Sequence, residues 1–358
     1  MTACVGPGNS VMSLSEKLWN AGKFGFVVGT CSSIGISGFT LGGGYGVISR
    51  KYGLAIDRVK SFEIVTAESK VKKVSEKRNA ELFWALRGAG SGNFGVVTEI
   101  CVKLFDASNQ YIWIIKEYKG NVLHELLEKW QNWVTSNPPI SITAIFVKES
   151  FTAGEFTITF VIAEQNITEG EKQVNLILNT FPNITKSNIN YGSYMDLLQA
   201  TKYGNSSDSG QYYFRSKGFY VSKVLNGTEI ELFVNAIRNH SYVTFVFDMY
   251  GGEIEKPRRN VTAFVHRTAL YNAQFHFHVI KNESIENTRI VGKMYEQKLK
   301  QLIIELDFMN TGEHYQNYED YDLQNWFEQY FKENEKRLMK IKRQVDPTNF
   351  FHRKQSIS

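Results

Sequence analysis

Cysteine is scarce: the 358-residue chain has 3, Cys4, Cys31 and Cys101. An odd count leaves at least one thiol unpaired and excludes a disulfide-built scaffold. No run is long and apolar enough to cross a bilayer, which excludes a spanning helix. The first 25 residues lack a basic stretch followed by an apolar core, so no signal peptide is visible. No internal repeat or low-complexity linker is present. Charge of one sign is not concentrated either: the net +5 is spread along the chain. The one dense basic stretch, Lys336 to Arg343, interleaves Leu338, Met339 and Ile341. That is an amphipathic helix with a solvated basic face rather than a nucleic-acid surface. His276 and His278 alternate on one strand, but no Asp, Glu or third His joins them, so they read as structural and not as a metal pair.

What is abundant points to a soluble chain of ordinary core content, 42% hydrophobic and 22% charged. Its length suggests two domains. Aromatics reach 14%, which suits a large core or a flat, stacking ligand. Seven N-x-S/T sequons, at Asn166, Asn183, Asn205, Asn226, Asn239, Asn260 and Asn282, point to the secretory pathway or a secreted protein. The stretch GTCSSIGISGFTLGGGYG (29–46) is built for backbone freedom, since glycine takes positive φ and admits close approach. Its cysteine needs a separate reason. Alone, Cys31 reads as a small buried hydrophobe, and so do Cys4 and Cys101.

Periodicity predicts a helix over 11–22, two strands within 57–74, a helix over 80–87 closed by Gly88, and a strand over 96–104. Beyond residue 105 the pattern changes. Strands are expected at 110–117, 142–148, 155–164, 241–252 and 269–280, with helices at 120–135, 169–181, 285–304 and 324–345. Antiparallel strands with helices to one side make an α+β second domain.

Five stretches in order resemble one family. GTCSSIGISGFTLGGGYGVISRKYGLAIDRV, LFWALRGAGSGNFGVVTEI, YGG…AFVHR…LYNAQF, YQNYEDYDL and RLMKIKRQVDPTNFFHRKQSI are similar to the signatures of the berberine bridge enzyme-like oxidases, within the vanillyl-alcohol oxidase superfamily. The resemblance implies an α+β fold: a partial vanillyl-alcohol oxidase-type (PCMH-type) FAD-binding domain over 1–106, a substrate domain over 107–310 with an antiparallel sheet flanked by helices, and a C-terminal return to the FAD-binding domain over 311–358. It also implies that the family's first FAD subdomain, with its pyrophosphate loop and flavin-linked histidine, has no counterpart here. The chain is then expected to be a fragment or a truncated product.

The resemblance implies FAD as cofactor, with Cys31 at the position whose sulfur can bond the flavin. Thr30, Gly35, Gly38, Gly42, Gly43, Gly44, Gly46, Asp57, Gly92, Asn93, Gly95, Val97, Asn317 and Asn349 are the implied cofactor contacts. Tyr318 matches the base of the sugar-oxidising branch, and Asp248 a carboxylate that takes its proton or hydrogen bond. A tyrosine titrates near ~10, so it needs such help; a neighbouring carboxylate alone would raise its pKa, so the pair must act as a hydrogen-bonded unit. Gln274 stands where alkaloid-oxidising members carry a glutamate base. Glutamine takes no proton, which points to a carbohydrate or simple alcohol. His266 and Arg267 match a pair read as structural. The expected activity is oxidation of a hydroxyl with O2 as acceptor. The alternative is a non-catalytic secreted glycoprotein. A Rossmann dehydrogenase is excluded, because the glycine run does not open a helix after a strand and no acidic residue follows at the ribose distance.

Overall fold

The computed structural model describes residues 1–149, 154–202, 212–280 and 284–358. The first part of the chain runs β1 (Thr2–Val5), α1 (Val11–Asn20), β2 (Phe24–Gly25), α2 (Ile36–Leu41), α3 (Ser49–Tyr52), β3 (Val59–Val65), β4 (Val71–Ser75), α4 (Ala80–Ala89), β5 (Val96–Lys103) and β6 (Phe105–Asp106). Ser10 caps α1, its hydroxyl accepting from the Ser13 amide at 3.2 Å. Gly88 leaves helical geometry at φ +125°, so it ends α4 as its position suggested. An antiparallel sheet of order β1-β5-β3-β4 packs one face on the helices.

The second part runs β7 (Tyr111–Lys119), α5 (Leu123–Thr135), β8 (Ile142–Lys148), β9 (Glu155–Ile162), α6 (Ile167–Thr180), β10 (Ile189–Gly192), α7 (Tyr194–Ala200), β11 (Tyr212–Val221), α8 (Gly227–Asn239), β12 (Thr244–Met249), β13 (Tyr271–Ile280) and α9 (Ile285–Glu305). Its seven strands form one sheet, order β10-β7-β9-β8-β12-β13-β11, with every pairing antiparallel. Side chains alternate across it. Phe146, Phe160, Phe247, Phe275 and Phe219 point to one face and pack under α5, α6, α8 and α9. Trp113, Ile145 and Val161 point to the other and pack against the first part of the chain.

The last stretch carries α10 (Trp326–Phe331) and α11 (Glu335–Val345). The expected single helix over 324–345 is broken at Lys332, which takes φ 44° and ψ −126°. The tail then returns to the first part. Lys342, buried, donates to the Asn93 carbonyl at 2.8 Å, to Asp346 at 2.7 Å and to the Phe351 carbonyl at 2.7 Å. The Asn93 side chain in turn accepts from the Ile357 amide at 3.1 Å.

Two arginines tie the parts together. Arg267, fully buried, clasps both oxygens of Asp57 at 2.7 and 2.8 Å across 210 residues of chain. Arg50 of α3 enters the sheet domain and donates to the carbonyls of Ile142 (2.6 Å), Pro138 (3.0 Å) and Tyr250. Burying a guanidinium costs several kcal/mol unless its N–H groups are met; carbonyls, the Thr262 hydroxyl and one carboxylate meet most of them, and Arg267 Nε has no partner among the described residues.

The expectation for Cys4 and Cys101 is corrected. They sit directly opposite each other on β1 and β5 and form a disulfide, leaving Cys31 as the free cysteine. Separated by 97 residues, they could be paired only once the register of those strands was known. Arg267→Met should strand the Asp57 carboxylate and cost about 3–5 kcal/mol in urea unfolding. Reducing the Cys4–Cys101 bond should cost about 2–4 kcal/mol in the same measurement.

Candidate active site

The site forms where the glycine run meets the exposed strands of the larger sheet. Asp248 lies on β12 and Gln274 on β13. The register pairs Asp248 with Asn272 and Val246 with Gln274, so the two side chains share the face turned away from the helices. Gly218 of β11 is opposite Gln274. A Cβ on Gly218 would lie 3.5 Å from the Tyr318 ring, so the tyrosine rests over the strand at a point where no side chain intervenes. Tyr318, Gln274 and Asp248 thus stand across three adjacent strands.

Asp248 is buried, and loss of solvation pushes its carboxyl up to about 7. Burial also raises Tyr318 well above the ordinary phenol range, with the Asp248 charge adding to it. No direct hydrogen bond joins the two. They interact through charge, and the expected bonded unit would need a bridging hydroxyl between them. Cys31 feels the same charge. Burial raises its thiol, a hydrogen bond from Thr30 lowers it, and Asp248 raises it again. The cysteine of the first part of the chain, the tyrosine of the last and the aspartate of the sheet therefore meet in one place. The Gln274 amide donates to Ser216 Oγ at 2.9 Å, which leaves its carbonyl oxygen free to accept.

Tyr318 is held by its loop. Lys217, at the sheet edge, grips Asp320 at 2.6 and 2.8 Å and Asp322 at 3.1 Å. The Asp320 amide donates to Tyr330 OH at 3.0 Å, and Gln355 donates to the Asp320 carbonyl at 2.8 Å. Tyr315 OH accepts from the Gly44 amide and from Asn317 Nδ2, each at 2.9 Å. Tyr45 stacks on Tyr250 at 5.2 Å and donates to the carbonyl of Met249, next to Asp248. None of Lys217, Tyr45, Tyr250 or Tyr315 was singled out from the sequence. Lys217 has no local signal, whereas Tyr45 and Tyr315 lie inside the quoted motifs.

The glycines divide into two groups. A Cβ at Gly42 would overlap Asn317, at Gly43 Phe264, at Gly44 Ala55 and Phe39, and at Gly46 the Val28 carbonyl. These four are required by packing within the protein. Gly35 and Gly38 face open space. Of the other expected cofactor contacts, Asp57 spends its carboxylate on Arg267, Asn93 binds the tail, and Val97 is buried in the core. A Cβ at Gly95 would strike the Val65 carbonyl, whereas one at Gly92 meets only the Arg353 side chain, at 3.9 Å. Asn317 donates to the Phe39 carbonyl at 3.0 Å and to Tyr315. Asn349 adopts φ +52° with its side-chain oxygen buried and unbonded.

One hydroxyl and two amide oxygens here lack a partner within the protein, groups that the polar edge of a bound ring would meet. Thr40 Oγ1, Gln316 Oε1 and Asn349 Oδ1 are buried polar atoms without a protein partner, a costly state that a bound polar ring would relieve. His266 and Arg267 belong instead to the frame. His266 bonds Glu313 at 2.7 Å and the Tyr330 carbonyl at 3.1 Å. His276 and His278 sit farther along the same face of β13, and burial lowers His276 to about 3.

Fold and site define an FAD-binding oxidoreductase of α+β construction. The "FAD binding domain" family matches residues 1–75, and "Berberine and berberine like" matches 314–358. Berberine bridge enzyme-like 22 of Arabidopsis thaliana is 27% identical over 99% of this chain and 72% of its own length. Chitooligosaccharide oxidase of Gibberella zeae is 28% identical over 99% of this chain and 74% of its own length. Among solved structures, Physcomitrella patens BBE-like 1 superposes with a TM-score of 0.87 at 28% identity, covering 100% of this chain and 77% of that one. Over nearly its whole length the chain is similar to berberine bridge enzyme-like proteins, in sequence and in fold.

The two glycine groups separate in a stability measurement. Gly42→Ala should displace Asn317 and cost about 1–3 kcal/mol. Gly38→Ala, within α2 and facing open space, should be neutral or stabilising by up to ~1 kcal/mol. Thermal unfolding of the two variants side by side checks this.

Proposed function

We propose that this chain binds FAD and oxidises a hydroxyl of a carbohydrate or other alcohol, with electrons passed to O2 and H2O2 formed. The observation that carries the reading is the meeting of Tyr318, Gln274, Asp248 and Cys31 on one sheet face, with Asp248 poised near neutrality. A relative at 28% identity is named for oligosaccharide oxidation. Bound FAD supplies the hydride acceptor and the route to O2. The residues supply the rest. The glycine-run loop, Asn317 and the unpaired oxygens of Thr40, Gln316 and Asn349 would hold the ring, and Cys31 would be its covalent attachment point. The Gln274 carbonyl oxygen accepts from a substrate hydroxyl and orients it.

Proton removal is shared. The reacting hydroxyl lies against Tyr318 Oη. Its proton passes to Tyr318 as the phenolic proton moves to the Asp248 carboxylate through an intervening hydroxyl, since the two side chains share no direct hydrogen bond. Tyr318 alone cannot serve, because its raised pKa keeps it neutral across the working range. Asp248 is the group whose charge changes near neutral pH, which suits a general base. A secretory route is part of the reading, and the Cys4–Cys101 bond and the sequons support it.

The purified protein should be yellow, and the colour should stay with the acid-precipitated pellet; a colourless protein sinks the flavin reading. Activity should rise as pH passes through about 7, as the Asp248 carboxylate forms. Asp248→Asn should lower kcat by about 10²–10⁴-fold. The same variant should be more stable than the parent. The folded chain holds the Asp248 proton more tightly than the unfolded chain does. Stability is therefore greatest while Asp248 is protonated and falls as pH rises toward about 7. At pH ~8 the gain in Asp248→Asn should reach up to about 4 kcal/mol by urea unfolding.

A further inference from the structure

The helices that cover the larger sheet carry a pattern the active site does not use. Four sequons fall on this layer. Asn166 caps α6 and Asn183 follows its end; Asn226 caps α8 and Asn239 closes it. All four side chains are exposed. Asparagines outside sequons include three that are buried, Asn93 at 3%, Asn272 at 2% and Asn334 at 4%, so exposure is not the rule for this residue in this chain. Asn183 takes φ +60° in a turn.

The two caps leave the modifiable nitrogen free. Asn166 Oδ1 accepts from the amides of Thr168 (2.9 Å) and Glu169 (3.3 Å), and Asn226 Oδ1 from Glu229 (3.0 Å). In both cases the cap uses Oδ1, and Nδ2 makes no hydrogen bond among the described residues. Asn183 and Asn239 make no side-chain hydrogen bond among the described residues.

A second observation marks the same layer. Large apolar side chains lie open on it: Ile167 at 42%, Leu176 at 43%, Val224 at 45% and Leu232 at 52% exposure. Ile167 follows Asn166 directly, and Val224 lies two residues before Asn226. Such exposed apolar surface invites association unless something covers it. No sequon occurs before residue 166 or after residue 282, so the four-stranded sheet and the C-terminal helices carry none.

We infer that the α6 and α8 part of the outer helical layer is clothed by N-linked glycans at Asn166, Asn183, Asn226 and Asn239, which cover the apolar side chains exposed beside them and leave the active-site face bare. The donor is an oligosaccharide held on a lipid diphosphate. The Asn Nδ2–C1 bond forms as the C1–O bond to the diphosphate breaks; the amide proton is lost and the lipid diphosphate leaves. Asn260 lies off this layer, on a loop whose carbonyl receives Trp84 Nε1, and Asn205 and Asn282 lie outside the described residues. The inference does not depend on flavin binding.

The test is peptide mapping of the protein isolated from its own cells, before and after peptide-N-glycosidase, which turns each used Asn into Asp. Conversion at three or all four positions is expected. Unmodified Asn at two or more overturns the inference. Thr168→Ala and Thr228→Ala separate glycan from cap, since each destroys a sequon and leaves the capping Asn in place. Each should lose the glycan at Asn166 or Asn226 alone and keep the cap. Retention of the glycan in either variant would also count against the assignment.

Discussion

The Arg267–Asp57 pair is the constraint on which the molecule turns. Asp57 sits just after the glycine run, and Arg267 on the segment leading into β13. Their bond fixes where the glycine run lies over the larger sheet. Arg50 adds a second, parallel restraint through backbone carbonyls alone. Neither guanidinium has solvent to fall back on, so the two parts cannot separate without leaving charge uncompensated. That rigidity is what a site assembled from distant segments requires, because Cys31, Asp248 and Tyr318 are supplied by three different stretches of chain.

The site is built by depriving groups of water. Among the described residues no cation and no hydrogen-bond donor meets the Asp248 carboxylate, and burial raises its pKa. The surrounding tyrosines Tyr45, Tyr250, Tyr315 and Tyr318 are all raised by burial too. Among these groups Asp248 is the one acid held near neutrality, set among neutral phenols. The cost is a carboxylate less comfortable folded than unfolded above neutral pH, a local sacrifice of stability of the kind functional sites carry.

Much of the architecture was legible in the sequence. The strands β8 and β13 and helix α9 fall where alternation and helical period place them, because their inward residues form clean apolar faces. The long C-terminal helix was misread, since the period continues through Lys332 while its backbone does not. The glycine run was read as ligand contact, yet Gly42, Gly43, Gly44 and Gly46 answer to Asn317, Phe264, Ala55 and Val28. Asn317 and Phe264 lie hundreds of residues from the run, so no local pattern could reveal those two contacts. The Cys4–Cys101 bond was hidden for the same reason, and Lys217 because a lone lysine on a strand announces nothing.

The return of the tail has a consequence for synthesis. Ile357 is 1% exposed and its amide is bonded to Asn93, while Lys342 clasps the same residue's carbonyl. The nucleotide-binding part therefore cannot close when its own strands emerge from the ribosome. It must wait while the intervening sheet domain is made, a delay of about 10–50 s at ordinary elongation rates. During that interval β5 and α4 lack the cover that α11 and the tail later provide. The sheet domain, whose strands all lie between Tyr111 and Ile280, can meanwhile form its own core. Assembly thus runs from the middle outward, with the stretch from Lys342 to Ile357 latching onto Asn93 after the sheet domain is made.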